Sequence, residues 1–187
     1  RAGAVDSALR GPLVPAEVVA RFLLFGKNGV GMGHEEDGIG RILARPVHAE
    51  NPTNPAPPWL AVMTYNLRYA SPTPPNAWPQ RRPLMRELIQ QVAPDVMGTQ
   101  EGLYGQIKDL ATDLPDYEWI GTGRDGGSRG EFMAVFFRKT RLEALAFDHF
   151  WLSDTPAVVG STTWGNSNRR MVTWVKFRDR ATGGEFF

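Results

Sequence analysis

Two polar residues end two apolar runs. Asn66 closes LAVMTYN, and Glu101 follows directly on PDVMGTQ. An amide and a carboxylate held side by side can hold a divalent cation and a phosphate between them, because hard cations take oxygen ligands. The surrounding elements supply a reason for such proximity. Leu60–Leu67 and Asp95–Glu101 read as strands, the first apolar on both faces like a buried strand. Between them, Arg81–Ala93 sets Leu84, Met85, Leu88, Ile89 and Val92 on one helical face. Pro83 is expected in the first turn of that helix, with Asn76 or a neighbour as its cap. Strand, helix, strand predicts a parallel, right-handed crossover. Both runs then finish at one sheet edge, the carboxyl-terminal edge where ligands of α/β sheets sit.

Other segments offer weaker chemistry. RDGGSRGE, Arg124 to Glu131, reads as a loop in which Arg124 and Arg129 can meet phosphate, although Asp125 and Arg129 also fit a solvated turn. NRRMVTWVKF places Arg169 and Arg170 at the mouth of a strand, and the planar guanidinium fork suits phosphate oxygens. GKNGVGMGHEED fails as a phosphate loop, because Lys27 is followed by Asn28 rather than Ser or Thr. His34, Glu35, Glu36 and Asp37 do not match a helical zinc motif, and the stretch reads as an acidic loop. His149, inside FDHFWLS, reads as a packed residue rather than a base. Trp151 and Trp164 can stack on a base or sugar, but packing explains them more simply.

Bulk composition narrows the function classes. The 187 residues are 42% hydrophobic and 22% charged, enough for one domain with a core. A net charge of +1 gives no global field toward nucleic acid or membrane. The absence of cysteine excludes disulfides and thiolate metal sites. No apolar run is long enough to span a bilayer as a helix, and Arg21 interrupts the best candidate, Val18 to Phe25. The first residue is Arg, which fits a processed, trimmed or excised chain.

Residues 1–58 read as leader and linker. One short helix is expected over Ala16–Phe25, followed by Gly-rich and Pro-rich stretches. From Trp59 the pattern tightens. A second helix sets Leu103, Ile107, Leu110 and Leu114 on one side. YEWIGTG, FMAVFFR, LEALAFDHFWLS and MVTWVKFRD follow as turn-separated strands, and GEFF looks like a strand just begun. The class is α/β passing into a mixed sheet, α+β in character.

MTYNLRYA, NAWPQRR, PDVMGTQE, YEWIGTGRDGGSRGE, FWLSDTPAVVGSTTW and RRMVTWVKF together resemble the endonuclease/exonuclease/phosphatase superfamily, in the family's order and across Leu60 to Phe187. The spelling is closest to a branch of bacterial, often exported members. The resemblance implies a deoxyribonuclease-like fold, two packed β-sheets flanked by helices in four layers. It implies phosphoester hydrolysis with Mg²⁺ or Mn²⁺. By the same resemblance, Asn66 contacts phosphate and metal-bound water, Glu101 ligates the metal, Glu131 orients a catalytic His, and Arg170 lies near the phosphate.

The family continues beyond this last strand into Asn-x-His, Asp-x-Asn and Asp-His segments, and none of these occurs in the 187 residues. His34, His48 and His149 stand in other contexts, and Asp154 is followed by Thr155. Residues 59–187 therefore read as the N-terminal half of the domain, a partial four-layer sandwich. The expected function is a metal-dependent phosphoester hydrolase that is inactive as this polypeptide alone. The alternative is a non-catalytic degenerate fragment or a phosphate-binding interaction module. The expected partners are a phosphoester substrate of open class and a second copy, through an apolar face left uncovered. Nucleic acid, sphingolipid, inositol phosphate and sugar phosphate all fit such a fold, though the charge balance shows no basic stripe for nucleic acid.

Overall fold

The computed structural model describes the backbone of Ala20–Phe25 and residues 59–187 in full. His34, His48 and the Gly-rich stretch lie outside the described residues. Strand β1 spans Ala20–Phe25, β2 Leu60–Asn66, β3 Val96–Gln100, β4 Tyr117–Ile120 and β5 Val135–Arg138. They form a five-stranded sheet in the order β1-β2-β3-β5-β4. β2 and β3 run parallel, with Asn66 paired to Gln100, and helix α1, Trp78–Val92, makes the crossover. The strand, helix, strand expectation holds, and both runs end at one edge.

One expectation is overturned. Ala20–Phe25 is a strand antiparallel to β2, with Ala20 opposite Tyr65 and Phe25 opposite Leu60, and not part of a helix. The outer edge of β2 carries unpaired amides and carbonyls, and a mostly apolar segment without Gly or Pro meets that demand. The helix start differs too. α1 begins at Trp78 with Ala77 as N-cap, no side chain caps it, and Pro83 lies inside. The first turn is anchored by side-chain contacts instead. Trp78 Nε1 donates to Asp109 Oδ2 at 2.7 Å, and the Arg81 guanidinium lies 5.5 Å from the Trp78 ring. These outweigh the backbone bond that Pro83 cannot make.

Strand alternation builds a core on each side of the sheet. Met63, Tyr65, Met97 and Phe136 face α1 and α2, Tyr104–Asp113, where Met85, Ile89, Ile107 and Leu110 meet them. Val96 and Phe137 point the other way, joined by Leu60, Val62 and Val135, against Leu142, Val175 and Phe177. Those last three belong to a second sheet of β6 (Leu142–Trp151), β7 (Met171–Asp179) and β8 (Glu185–Phe186), in that order. The layers are helices, sheet and sheet, which is the expected α/β sandwich in partial form. Among the described residues no helix covers the outer face of β6–β8. Nor is any helix among them long and apolar enough to cross a membrane.

A bulge at Leu145 shifts the β6–β7 register, and the buried pair Arg141–Asp179 closes its far end with two bonds of 2.8 and 3.0 Å. Beyond the bulge Phe147 pairs with Val175, so the two side chains share the inner face. Val175 is buried, yet Phe147 is 55% exposed, as are Phe150 at 37% and Phe187 at 80%. β8 has only β7 beside it among the described residues. Uncovered aromatic surface and a free strand edge both favour association. The chain is expected to elute as a dimer or larger species whose mass, by light scattering, rises with concentration. Phe147→Ser should shift it toward monomer. A monodisperse monomer over a hundredfold concentration range would show that this surface is not adhesive.

Candidate active site

Asn66 and Glu101 meet where the parallel pair ends. Asn66 Nδ2 donates to Glu101 Oε1 at 2.8 Å. The orientation of the Asn66 amide follows from its other bond, since Oδ1 accepts from the Arg68 amide at 2.7 Å. The second carboxylate oxygen, Oε2, accepts from the Tyr69 amide at 3.4 Å. Two residues at this edge hold left-handed backbone, Arg68 with φ 52° and Glu101 with φ 61°. Such conformations cost non-glycine residues roughly 1–3 kcal/mol and gather at functional sites. Here the Asn66 and Glu101 side chains bind the turn that creates the strain.

Two buried polar side chains that the motifs do not single out hold this turn from below. Arg81, 6% exposed, donates to the carbonyls of Leu67 at 2.6 Å, Arg68 at 3.1 Å, Tyr69 at 3.1 Å and Asn76 at 2.8 Å. Gln106 from α2 donates to the Arg68 carbonyl at 3.0 Å, and its Oε1 accepts from the Leu103 amide at 2.9 Å. The segments after Asn66 and after Glu101 are thereby tied to both helices. A signal existed in the sequence: Arg81 stands four residues before Met85, on the apolar stripe of α1, where a charge needs a partner. Burial lowers the Arg81 pKa, and the nearby Arg68 charge lowers it further. Two positive charges, Arg68 and Arg81, therefore lie near one another at this turn. Burial also pushes Tyr65 up to about 12.

Glu131 sits one residue from this edge in the ladder. Phe132 bridges Gly102 on one side and Gly123 on the other, and its amide donates to the Gly102 carbonyl at 2.7 Å. The Glu131 carboxylate takes Arg124 Nη1 at 2.8 Å. Arg170 makes no side-chain hydrogen bond or ion pair to a described residue, and its carbonyl accepts from the Leu152 amide. Its neighbour Arg169 is the fixed one, with Nη1 on Asp125 Oδ1 at 2.7 Å and Nε on the Gly160 carbonyl at 2.8 Å. No hydrogen bond or ion pair joins Arg170 to the Asn66–Glu101 pair. Trp151 is buried, with Nε1 on the Arg124 carbonyl at 2.8 Å, which is the packing role. His149 lies in the second sheet, Nδ1 beside Thr173 Oγ1 at 3.0 Å, its pKa lowered by burial against the pull of Asp148.

The sequence profile of the endonuclease/exonuclease/phosphatase family matches residues 63–182. The chain belongs to that family. An endonuclease/exonuclease/phosphatase from Bacteroides vulgatus is 38% identical, with a TM-score of 0.66, and the match covers 67% of this chain and 49% of that one. A mannosyl-6-phosphatase of Bacteroides thetaiotaomicron is also 38% identical, with a TM-score of 0.65 over 68% of this chain and 49% of that one. The human Nocturnin catalytic domain, 16% identical with a TM-score of 0.52 over 67% of this chain and 46% of that one, shares the fold. No curated protein matches the chain. The chain spans about half the length of the solved relatives it matches.

The donor set can be tested against the cation that the family implies. No group of three His, Cys, Asp or Glu side chains gathers among the described residues. Mg²⁺ does not require one, because it keeps several waters and is commonly held by one or two carboxylates plus substrate phosphate. Glu101 offers one carboxylate whose two oxygens each accept a single, partly exposed bond. A largely hydrated Mg²⁺ or Mn²⁺ fits that set, with Glu101 as ligand and Asn66 beside it.

Proposed function

We propose that the Asn66–Glu101 edge is the cation and phosphate end of a metal-dependent phosphoester hydrolase site. The observation that carries this reading is the 2.8 Å contact between an amide and a carboxylate at the carboxyl ends of two parallel strands. Glu101 would hold the divalent cation, which when bound polarises a phosphoryl oxygen. Asn66 Nδ2 has a second N–H that would donate to the phosphate while Oδ1 stays on the Arg68 turn. Arg81 and Arg68 raise the local potential toward an anion. Glu131 precedes the Phe132 that bridges Gly102, and its carboxylate holds the Arg124 fork. Likeness to a mannosyl-6-phosphatase supports a phosphate monoester as the bond attacked.

A second reading is that this polypeptide binds phosphate without hydrolysing it. It is favoured by the acid–base inventory. His149 is the one imidazole among the described residues, and it is engaged with Thr173 on the other sheet. Titration with Mn²⁺, followed by water-proton relaxation, tests the shared part of both readings. Binding is expected to tighten with inorganic phosphate and to weaken about tenfold or more in Glu101→Gln, which removes the charge and keeps the shape. Equal affinity in Glu101→Gln would remove Glu101 from the site.

A further inference from the structure

The β4–β5 connection and the long β6–β7 connection enclose a cleft of about 190 Å³, lined by Arg124, Asp125, Thr162, Ser167, Asn168 and Arg169. Its walls are braced from behind. The buried Trp151 holds the Arg124 carbonyl, Arg169 bridges Asp125 to the Gly160 carbonyl, and Glu131 holds the Arg124 fork. The two connections also touch at Gly126, where φ is 88° and a Cβ would come within 2.7 Å of Val159. Only glycine permits both the turn and the approach there.

Position relates the cleft to the Asn66–Glu101 edge. Gly102 and Gly123 flank Phe132 in one ladder, so Arg124 leaves the sheet about 10 Å, two strand spacings, from the residue after Glu101. A substrate held by its phosphate at that edge reaches the cleft with the group attached to the phosphate.

Charge decides what that group is. Two guanidiniums in and behind the walls face two carboxylates, Arg124 with Glu131 and Arg169 with Asp125. An anion accepting from the remaining guanidinium N–H groups would sit beside the Asp125 and Glu131 carboxylates, which repel it. A hydroxyl meets no such repulsion, because it donates to a carboxylate lone pair and accepts from a remaining guanidinium N–H. Ser167 and Asn168 add a hydroxyl and an amide whose side chains make no hydrogen bond to a described residue. The same connection presents Trp164, 56% exposed, its indole N–H fixed on Asp154 Oδ1 at 2.8 Å. A ring so held offers its apolar face and no free donor. The volume is below the roughly 300–1,000 Å³ of pockets that take a whole drug-sized ligand, which limits the occupant to about one ring.

We infer that this cleft is the subsite for the uncharged, polyhydroxylated part of the substrate, about one sugar ring in size. The inference rests on the phosphoester reading for its place in a reaction, but the cleft binds its ligand independently of the cation. The test uses the full chain labelled with ¹⁵N, methyl hexopyranosides of the gluco, manno and galacto series, and inorganic phosphate with Mg²⁺. At least one hexoside is expected to move the amides of 124–125 and 162–169 at millimolar concentration. Asn168→Ala should weaken that binding about tenfold, the loss of a directed hydrogen bond, and Glu101→Gln should leave it unchanged. Inorganic phosphate acting on these amides in place of the hexosides would replace the inference with a second anion site. A folded chain whose cleft amides answer to no probe would overturn it. Hexoside binding in a chain that fails to bind phosphate and Mg²⁺ at Asn66–Glu101 would leave the subsite standing and remove the phosphoester reading instead.

Discussion

A polypeptide of these 187 residues is expected to hydrolyse bis-p-nitrophenyl phosphate or p-nitrophenyl phosphate no faster than buffer containing the same Mg²⁺ or Mn²⁺, even while it binds phosphate. The described residues place one carboxylate and one amide at the site and bring no imidazole to it. His149 is held on Thr173 in the second sheet, and burial keeps its pKa low. Positioned proton transfer contributes about 10²–10⁴-fold in such reactions, and a single carboxylate leaves the cation loosely held. The two losses multiply, so residual turnover should sink below the uncatalysed background. The comparison that matters is wild type against Glu101→Ala in one preparation. Turnover present in the first and absent in the second would mean that an acid or base reaches the edge from elsewhere in the chain.

Much of this site was legible because it depends on strand ends. An apolar run that closes on Asn66 and another that closes on Glu101 fix where the polar atoms emerge, and the crossover rule makes the two ends neighbours. The partner of β2 on its far side was not legible. Ala16–Phe25 follows Pro15 and is apolar enough for an amphipathic helix, and local preference says helix there. The open edge of β2 decides for a strand at Ala20–Phe25, and nothing inside the segment reports that edge. The cleft shows a similar divide. Arg124, Arg169 and Arg170 all look able to meet phosphate as isolated residues. The structure commits Arg124 to Glu131 and Arg169 to Asp125, partners 7 and 44 residues away, and leaves Arg170 without a side-chain partner among the described residues. Long-range pairing of that kind leaves no periodic trace. Arg81 lies between the two cases. A charge on the apolar stripe of α1 announces a buried partner, but not that the partner is the turn after Asn66.

Arg81→Ala is expected to cost about 3–5 kcal/mol of stability, the range for breaking a buried charged network, and to abolish phosphate and Mn²⁺ binding even in the fraction that stays folded. The guanidinium is the shared donor to Leu67, Arg68, Tyr69 and Asn76. Leu67 is fully buried, so its carbonyl finds no water when the donor is removed, and an unsatisfied buried group costs roughly 1–3 kcal/mol by itself. The remaining cost falls on the turn. Arg68 holds a left-handed conformation that its carbonyl bonds to Arg81 and Gln106 keep in place. Without Arg81 that strain relaxes, the Arg68 amide leaves Asn66 Oδ1, and Asn66 loses its orientation toward Glu101. Arg81→Lys separates the two effects. A lysine keeps the positive charge, but its single ammonium cannot reach carbonyls on both sides of the fork. It should recover about half of the stability and little of the ligand affinity. Urea unfolding at low protein concentration measures the first quantity, and Mn²⁺ relaxation with inorganic phosphate measures the second. If Arg81→Lys binds phosphate as wild type does, the charge alone matters and the geometry of the turn does not set the site.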